Sequence, residues 1–507
     1  MFEAAEVGRN VSKADYRTAE PEMHMRLLNL QQALRKTRRS LIVIVSGVEG
    51  AGKGEVVDNL HRWFDTRDVR THAFWDESDE ERERPRFWRY WRTLPARGTV
   101  SVMFGSWYTK PIVDRAFEAI DNHDFEHEMQ LIEDLERTLV RDGTIIVKLW
   151  FHLSRELQQQ RLKQDSKIAK FKKSPLLKSY SRSYDQFRTV SEKAIRLTDT
   201  GPSPWHIVEA TDTRYRDLTV GRILIDTLQH ELEQPQVHAH LKAREQQEEE
   251  DHLARTLAQD SSRLTVLDTV DLSQTLDERQ YNRRLEKYQS RLHTLMWAMY
   301  HQKRNAVLVF EGWDAAGKGS AIRRVTTGMD ARLYNVIPIA APSDEELAHH
   351  YLWRFWRHIP RAGYITLYDR SWYGRVLVER VEGFAERVEW LRSYQEINDF
   401  ESHLLDHGTA VIKFWVHISA EEQLRRFRER EVDLRKQFKI TEEDWRNREK
   451  RLAYESAVND MVAHTSTARA PWTLVAGNDK KFARIQILRT LCKRLEAILD
   501  MKQVEYR

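Results

Sequence analysis

Cysteine is almost absent from this chain, whose 507 residues include only Cys492. A single thiol can form no internal disulfide, and it excludes a metal site built from cysteines. Long apolar runs are also missing: the run at residues 41–45 has the length of a strand, far short of the roughly 20 residues of a membrane span. The N-terminal segment lacks the apolar core of a signal peptide, so we expect a cytoplasmic protein that contacts no membrane.

Neither sign of charge dominates the sequence. Lys and Arg number 82 and Asp and Glu number 78, which leaves a formal net charge of +4. This balance argues against a general basic field for nucleic acid, although local patches can still attract a polyanion. The length exceeds that of one ordinary core, so we expect two or three domains.

The chain contains two copies of one sequence pattern. Lys53 and Lys318 are 265 residues apart, and the segments "SWYTK" and "SWYGR" obey the same offset. Near the C-terminus the offset becomes 267, as between Trp205 and Trp472. One register held over many motifs indicates a tandem duplication. We predict a first domain at residues 1–232, a charged linker at 233–261 and a second domain at 262–507.

Each copy predicts the same fold class. Short apolar runs such as "AVLVFEG" and "AVIKFWVHIS" alternate with longer amphipathic segments. This order is typical of a parallel sheet flanked by helices. We therefore predict an α/β protein, a tandem duplication of a three-layer α/β/α domain of the P-loop kinase type.

A glycine-rich loop follows the first apolar run of each copy. The second copy has "GWDAAGKG" at 312–319 and the first has "GVEGAGKG" at 47–54. Glycines let the backbone aim N–H groups at phosphate oxygens, the following helix adds its positive end, and the lysine supplies a charge. The predicted phosphate-binding residues of the second copy are Gly312, Gly317, Lys318 and Gly319. Gly319 stands where Ser or Thr usually binds Mg²⁺, so we expect Asp314, inside the loop, to take part of that role.

A second motif, "YITLYDRSWYGR" at 364–375, places an Asp at the end of an apolar strand. A carboxylate in this position is the usual second anchor for Mg²⁺ beside a phosphate loop, which makes Asp369 a metal candidate with Asp314. Arg370 and Arg375 follow and could clamp phosphate oxygens in a bidentate manner. The alternative, that the two arginines only form structural ion pairs, stays open.

These motifs together, with "TSTARAPW" at 465–472, resemble those of the polyphosphate kinase 2 family. In the second motif the family usually has an Asn before the last Arg, and this position is Gly374 here. The resemblance implies phosphoryl transfer between inorganic polyphosphate and a nucleotide with Mg²⁺, and two-copy members resemble polyphosphate:AMP phosphotransferases, which make ADP from AMP. It also implies that the catalytic residues are Asp314, Lys318, Asp369, Arg370 and Arg375.

The resemblance further implies a helical lid over the site. The matching segment, residues 425–451, has eleven Lys or Arg against seven Asp or Glu, which suits a polyanionic donor. Arg426, Arg430 and Lys439 are the predicted contacts with the donor chain. A solvated helix pair without such a role is the alternative.

The first copy has lost part of the set. At offset 265 the equivalents of Asp314, Lys318, Asp369, Arg370 and Arg375 are Glu49, Lys53, Phe104, Gly105 and Lys110. A phenylalanine cannot hold Mg²⁺, so we predict that the second copy carries the chemistry. For the first copy, a structural role and a grip on polyphosphate through the basic segment 161–188 both stay open.

Three other functions remain possible from the sequence. A polyphosphate-dependent kinase acting on ADP or GDP would share every motif. An ATP-dependent nucleoside monophosphate kinase would share the loop and Mg²⁺, but Gly319 and Asp314 argue against it. A polyanion-binding protein without turnover is disfavoured by the intact set of the second copy. Whether the chain forms a homo-oligomer is left open.

Overall fold

The computed structural model describes residues 1–168, 183–233, 265–433 and 440–501. Within this part the chain divides into two compact units. The first is built mainly from residues 1–77 and 89–233, with the short segment Ser343–His350. The second is built mainly from residues 265–342 and 351–501, with the segment Ser78–Trp88. Nearly all of the predicted linker lies outside the described residues, so its boundaries stay a prediction.

Each unit contains a five-stranded sheet in which all neighbouring strands are parallel. The strands of the first are β1 (Ser40–Gly47), β2 (Val69–Ala73), β3 (Val100–Phe104), β4 (Thr144–His152) and β5 (Trp205–Glu209). Those of the second are β6 (Asn305–Gly312), β7 (Tyr334–Pro338), β8 (Ile365–Asp369), β9 (Thr409–His417) and β10 (Trp472–Ala476). The central strands are apolar and buried, as expected of a parallel sheet covered on both faces.

The two sheets have the same topology. Their strand orders are β2-β3-β1-β4-β5 and β7-β8-β6-β9-β10. Their registers also agree, since Ser40 pairs with Thr144 in the first sheet and Asn305 with Thr409 in the second. The predicted duplication of a parallel α/β domain is confirmed.

Helices connect the strands. Those of the first half are α1 (Lys13–Leu34), α2 (Lys53–Trp63), α3 (Asp79–Arg82), α4 (Trp88–Trp91), α5 (Thr109–Ala116), α6 (Asn122–Arg141), α7 (Arg155–Ile168), α8 (Tyr184–Thr198) and α9 (Thr213–Glu233). Those of the second half are α10 (Glu278–His301), α11 (Lys318–Thr326), α12 (Asp344–Leu347), α13 (Trp353–Trp356), α14 (Val378–Glu382), α15 (Arg387–Asp406), α16 (Ala420–Val432), α17 (Glu442–Glu449), α18 (Arg451–Thr465) and α19 (Lys480–Glu496). Short 3₁₀ helices lie at Phe2–Ala5, Thr66–Asp68, Val266–Thr269 and Trp372–Arg375.

A buried ion pair explains why both copies keep the "SWY" motif. In the second half the Lys413 ammonium lies 2.7 Å from Glu401 Oε2, and both side chains are buried. The Tyr373 hydroxyl and the Trp372 indole N–H donate to Glu401 Oε1 at 2.6 and 3.2 Å. The two buried charges are thus paired with each other and hydrogen-bonded. This is necessary because an unpaired charge in the protein interior is energetically costly.

The first half repeats this arrangement with Lys148, Glu136, Tyr108 and Trp107. The network therefore belongs to the fold of each half, whatever chemistry that half performs. No helix in the described part of the chain is long and apolar enough to cross a membrane.

Candidate active site

The phosphate loop of the second half joins β6 to α11. Gly312 has a φ of 150°, and a Cβ there would lie 2.5 Å from the carbonyl oxygen of Val416, so only glycine fits. The Lys318 ammonium donates to the Gly312 carbonyl oxygen at 2.6 Å, which keeps its charge at the loop. The helix α11 begins at Lys318, directly after the loop, and Gly317 before it provides no side-chain cap. The first N–H groups of a helix have no partner within it, which is the basis of anion binding at such loops.

Asp314 joins the loop to two other elements. Its Oδ1 lies 3.2 Å from Nη2 of Arg370, and its Oδ2 accepts a hydrogen bond of 3.0 Å from the Asn447 amide. Burial by itself raises the pKa of the Asp314 carboxyl, but the charges of Lys318 and Arg370 and these hydrogen bonds outweigh it and hold the pKa below its usual range. The carboxyl is therefore ionised at neutral pH.

Asp369 ends β8, next to the loop strand, because it pairs in register with Phe310 of β6. A Cβ on Gly319 would lie 3.8 Å from Asp369 Oδ2. The carboxylate thus stands beside the position where other phosphate loops present a hydroxyl. Within the described residues the Asp369 side chain makes no hydrogen bond or ion pair, so its oxygens are available to a cation.

Two carboxylates match the way Mg²⁺ is usually bound, with one or two protein ligands and the rest supplied by phosphate and water. Among the described residues no group of three or more His, Cys, Asp or Glu side chains forms a metal cluster. Of the two predicted ligands, Asp369 is the better placed, because both oxygens of Asp314 already contact Arg370 and Asn447.

Arg370 adopts an unusual backbone conformation. Its φ is 65°, in the left-handed region that residues other than glycine rarely occupy. Its N–H donates to the Phe310 carbonyl oxygen at 3.1 Å, which holds the turn against the loop strand. This conformation is the one in which the guanidinium reaches Asp314.

Arg375 makes its contacts with an acid and an aromatic ring. Its Nη1 is 3.0 Å from Glu379 Oε2, and its guanidinium stacks 4.5 Å from the centre of the Tyr351 ring. The structure shows the structural ion pair that the sequence left as an alternative. A role in clamping phosphate stays a prediction.

Arg426, predicted to contact the donor chain, is buried under the phosphate loop. Its guanidinium donates to the carbonyl oxygens of Ala315 and Ala316 at 3.1 and 2.8 Å, and to those of Gly477 and Asn478 at 2.7 and 2.9 Å. This position favours holding the loop over touching a donor chain.

The first half supports that interpretation. Arg161, the equivalent of Arg426, donates in the same way to the carbonyl oxygens of Gly50, Ala210 and Thr211. Of the other two predicted lid residues, Arg430 lies in the last turn of α16, and Lys439 lies outside the described residues.

Sequence reasoning missed Asn447 and Glu311. Asn447 contacts Asp314 from α17, 133 residues away, and no local pattern indicates such a contact. Glu311 is a buried acid at the end of β6 that accepts a hydrogen bond of 2.8 Å from the Ser371 hydroxyl. A charged residue inside the apolar run "AVLVFEG" was the signal that could have identified it.

In the loop of the first half, the lysine side chain contacts groups of the same loop. The Lys53 ammonium lies 2.7 Å from Glu49 Oε1 and 2.8 Å from the Gly47 carbonyl oxygen. The buried Arg216 guanidinium packs against Gly52 so closely that a Cβ there would clash with it. At the neighbouring strand end stand Phe104 and Gly105, in place of the acid and arginine of the second half. The first loop therefore has its lysine paired with Glu49 and lacks the carboxylate equivalent to Asp369.

Comparisons with known proteins agree with this arrangement. The family model described as polyphosphate kinase 2 (PPK2) matches residues 10–236 and 275–503. The polyphosphate:AMP phosphotransferase of Pseudomonas aeruginosa (strain PAO1) is 46% identical over 500 residues, which cover 98% of this chain and 99% of that protein. That of Pseudomonas syringae pv. tomato is 43% identical, with 98% of each chain covered.

The structural comparison gives the same result. A crystal structure described as a polyphosphate kinase 2 from Pseudomonas aeruginosa PA01 superposes with a TM-score of 0.85. It is 43% identical, and the match covers 98% of this chain and 99% of that one. With both matched ranges following the repeat, the chain belongs to the polyphosphate kinase 2 family and carries two copies of its domain.

Proposed function

We propose that this chain is a Mg²⁺-dependent phosphotransferase that moves a phosphoryl group from inorganic polyphosphate to AMP and produces ADP, with the chemistry in the second half. The observation that carries the proposal is the convergence of Asp314, Lys318, Asp369 and Arg370 at one edge of the second sheet. AMP as the acceptor is supported by the names of the two Pseudomonas relatives, which match over 98% or more of their length.

The geometry suits direct transfer without a covalent enzyme intermediate. Lys318 and the N-terminus of α11 hold phosphate oxygens, and Arg370 balances charge that develops on the transferred group. Asp369 and Asp314 are the residues that would hold Mg²⁺, which when bound neutralises phosphate charge. Asp314 also restrains the Arg370 guanidinium, so it orients this group before substrate binds.

The alternatives differ in donor and acceptor. Action on ADP or GDP would use the same residues, so it is separated from action on AMP by assay alone. An ATP-dependent kinase is disfavoured because Asp369, beside Gly319, replaces the usual hydroxyl of the loop. A polyanion-binding protein without turnover is disfavoured because the second half keeps the strained Arg370 that the first half has replaced by glycine.

For the first half we favour a structural role. Its loop lysine is paired with Glu49, and Arg161 is engaged with loop carbonyl oxygens. Residues 169–182 of its basic segment lie outside the described residues, so a grip on polyphosphate stays a prediction. The cytoplasmic location, the lack of nucleic-acid binding and a possible homo-oligomer likewise stay predictions.

The decisive experiment compares donors and acceptors in parallel. Purified protein and Mg²⁺ are incubated with AMP and long-chain polyphosphate, with AMP and ATP, and with ADP or GDP and polyphosphate. ADP formed from AMP only with polyphosphate supports the proposal, and chelation with EDTA abolishes it. ADP formed only with ATP, or faster turnover of ADP or GDP, overturns the proposed donor or acceptor.

A further inference from the structure

Glu311 is a buried acid that no step described so far uses. It is the penultimate residue of β6, its exposed fraction is 5%, and it lies between the phosphate loop and the end of β8. Burial raises the pKa of its carboxyl, against the opposing effects of Lys318, the Ser371 hydrogen bond and Arg370. A buried carboxyl is costly unless its partners compensate, so its partners indicate its role.

Those partners lead to Arg370. The Ser371 hydroxyl donates to Glu311 Oε1 at 2.8 Å, and its oxygen accepts the N–H of Tyr373 at 3.3 Å at the start of the 3₁₀ helix. These two hydrogen bonds hold the side chain of Ser371, the residue that directly follows Arg370. The Phe310 carbonyl oxygen holds the N–H of Arg370 itself at 3.1 Å. Adjacent residues of β6 therefore restrain the strained turn on both sides of the Arg370 side chain.

The first half provides an internal comparison. Ser106 is the equivalent of Ser371 and also accepts the N–H two residues later, from Tyr108 at 3.3 Å. The equivalent of Glu311, however, is Ser46, and that of Arg370 is Gly105, with a φ of 75°. The serine cap therefore exists without the acid. The acid accompanies an arginine in the left-handed region and is absent where glycine adopts that conformation without strain.

We propose that Glu311 is a positioning residue for the transfer reaction: through Ser371 it holds Arg370 in the left-handed conformation that brings its guanidinium to Asp314 and the phosphate loop. This inference rests on the proposed function for its kinetic consequence. Its structural content, that the Glu311–Ser371 hydrogen bond maintains the Arg370 backbone, does not depend on which substrate the site uses.

The kinetic test uses Glu311→Ala, Glu311→Gln and Ser371→Ala, with Ser106→Ala as the matched control in the first half. Misplacing a charged group by about 1 Å lowers turnover by up to about a hundredfold, so we expect Glu311→Ala and Ser371→Ala to lower kcat by about ten- to a hundredfold. Glu311→Gln keeps an acceptor for Ser371 and should stay within about threefold of the wild type, as should Ser106→Ala.

A double-mutant comparison separates positioning from general damage. If Glu311 acts through Ser371 and Arg370, Glu311→Ala has no further effect on kcat in the Ser371→Ala or Arg370→Ala background. The proposal would be overturned if Glu311→Ala lowered kcat in these backgrounds by the same factor as in the wild type. A Glu311→Gln variant with a kcat as low as that of Glu311→Ala would also overturn it.

A crystal structure of Glu311→Ala gives a readout that does not require activity. We expect Arg370 to leave the left-handed region and its guanidinium to leave Asp314. If the wild-type protein forms no ADP from AMP and polyphosphate, the proposed function fails, but this structure still decides the role of Glu311. An unchanged Arg370 backbone in the variant refutes the inference even in an active enzyme.

Discussion

Arg370 and Gly105 occupy equivalent positions after β8 and β3, and both have left-handed backbones, with φ values of 65° and 75°. A second pair behaves alike, since Ala315 has a φ of 62° and its equivalent Gly50 one of 79°. A residue with a Cβ is strained by about 1 kcal/mol in this region, whereas glycine is not. The second half therefore keeps strain at the proposed active site, and the first half does not.

The strain at Arg370 can be measured by comparing two substitutions. Arg370→Ala and Arg370→Gly both remove the guanidinium, but only glycine relieves the backbone. We expect Arg370→Gly to be more stable than Arg370→Ala by about 1 kcal/mol in chemical denaturation of the second half. Both variants should lose at least about a hundredfold in kcat. Equal stabilities of the two variants would show that the left-handed backbone is not strained.

The two loop lysines should differ in their effect on activity. Lys318→Ala removes the charge that faces the proposed phosphate site and should lower kcat/KM by at least about a hundredfold. Lys53→Ala removes a lysine that is paired with Glu49, so activity should stay within about twofold. Initial rates of polyphosphate-dependent ADP formation check both. A comparable loss in the two variants would assign chemistry to the first half as well.

The two buried ion pairs should contribute equally to the stability of their halves. Lys413→Met leaves Glu401 buried without its cation, and Lys148→Met does the same to Glu136. Each should destabilise its own half by about 3–5 kcal/mol. Hydrogen exchange localises the loss to one sheet or the other. A Lys148→Met variant as stable as the wild type would show that the first network has lost its structural role.

His417 should make the stability of the second half depend on pH. Its Nδ1 accepts the Trp313 indole N–H at 3.0 Å, and burial, with the charge of Arg451, lowers its pKa to about 4. Between pH 6.5 and 4, His417 is therefore protonated in the unfolded chain but remains neutral in the folded protein. Stability should fall across this window as the pH falls, by up to about 3 kcal/mol.

The substitution His417→Asn keeps an acceptor for Trp313 but cannot be protonated, so it should remove this part of the pH dependence. His123→Asn, at an exposed position of the first half, serves as the control and should leave the dependence as in the wild type. Denaturation midpoints measured from pH 7 to pH 4 test the pair. Parallel curves for wild type and His417→Asn would contradict the assignment.

Some features of the site could not be predicted from the sequence. The resemblance implied a lid, and the basic charge of its segment made Arg426 a predicted contact with the donor chain, yet Arg426 lies against the loop and donates to four carbonyl oxygens. Charge counts along a segment do not tell which side of a helix faces the core. Asn447 contacts Asp314 only because the fold places α17 beside the loop, although the two residues are 133 positions apart in the sequence.

By itself the sequence determined the duplication, the parallel α/β fold, the two phosphate loops and the loss of Asp369 and Arg370 equivalents from the first copy. These depend on residue type, spacing and periodicity, which are local or repeat at a constant offset. Only the tertiary structure showed that Arg375 forms an ion pair with Glu379 and that Lys53 forms one with Glu49. It also showed that Glu311 accepts a hydrogen bond from Ser371. Such contacts depend on side-chain directions and on packing between elements distant in the chain, and spacing alone does not encode them.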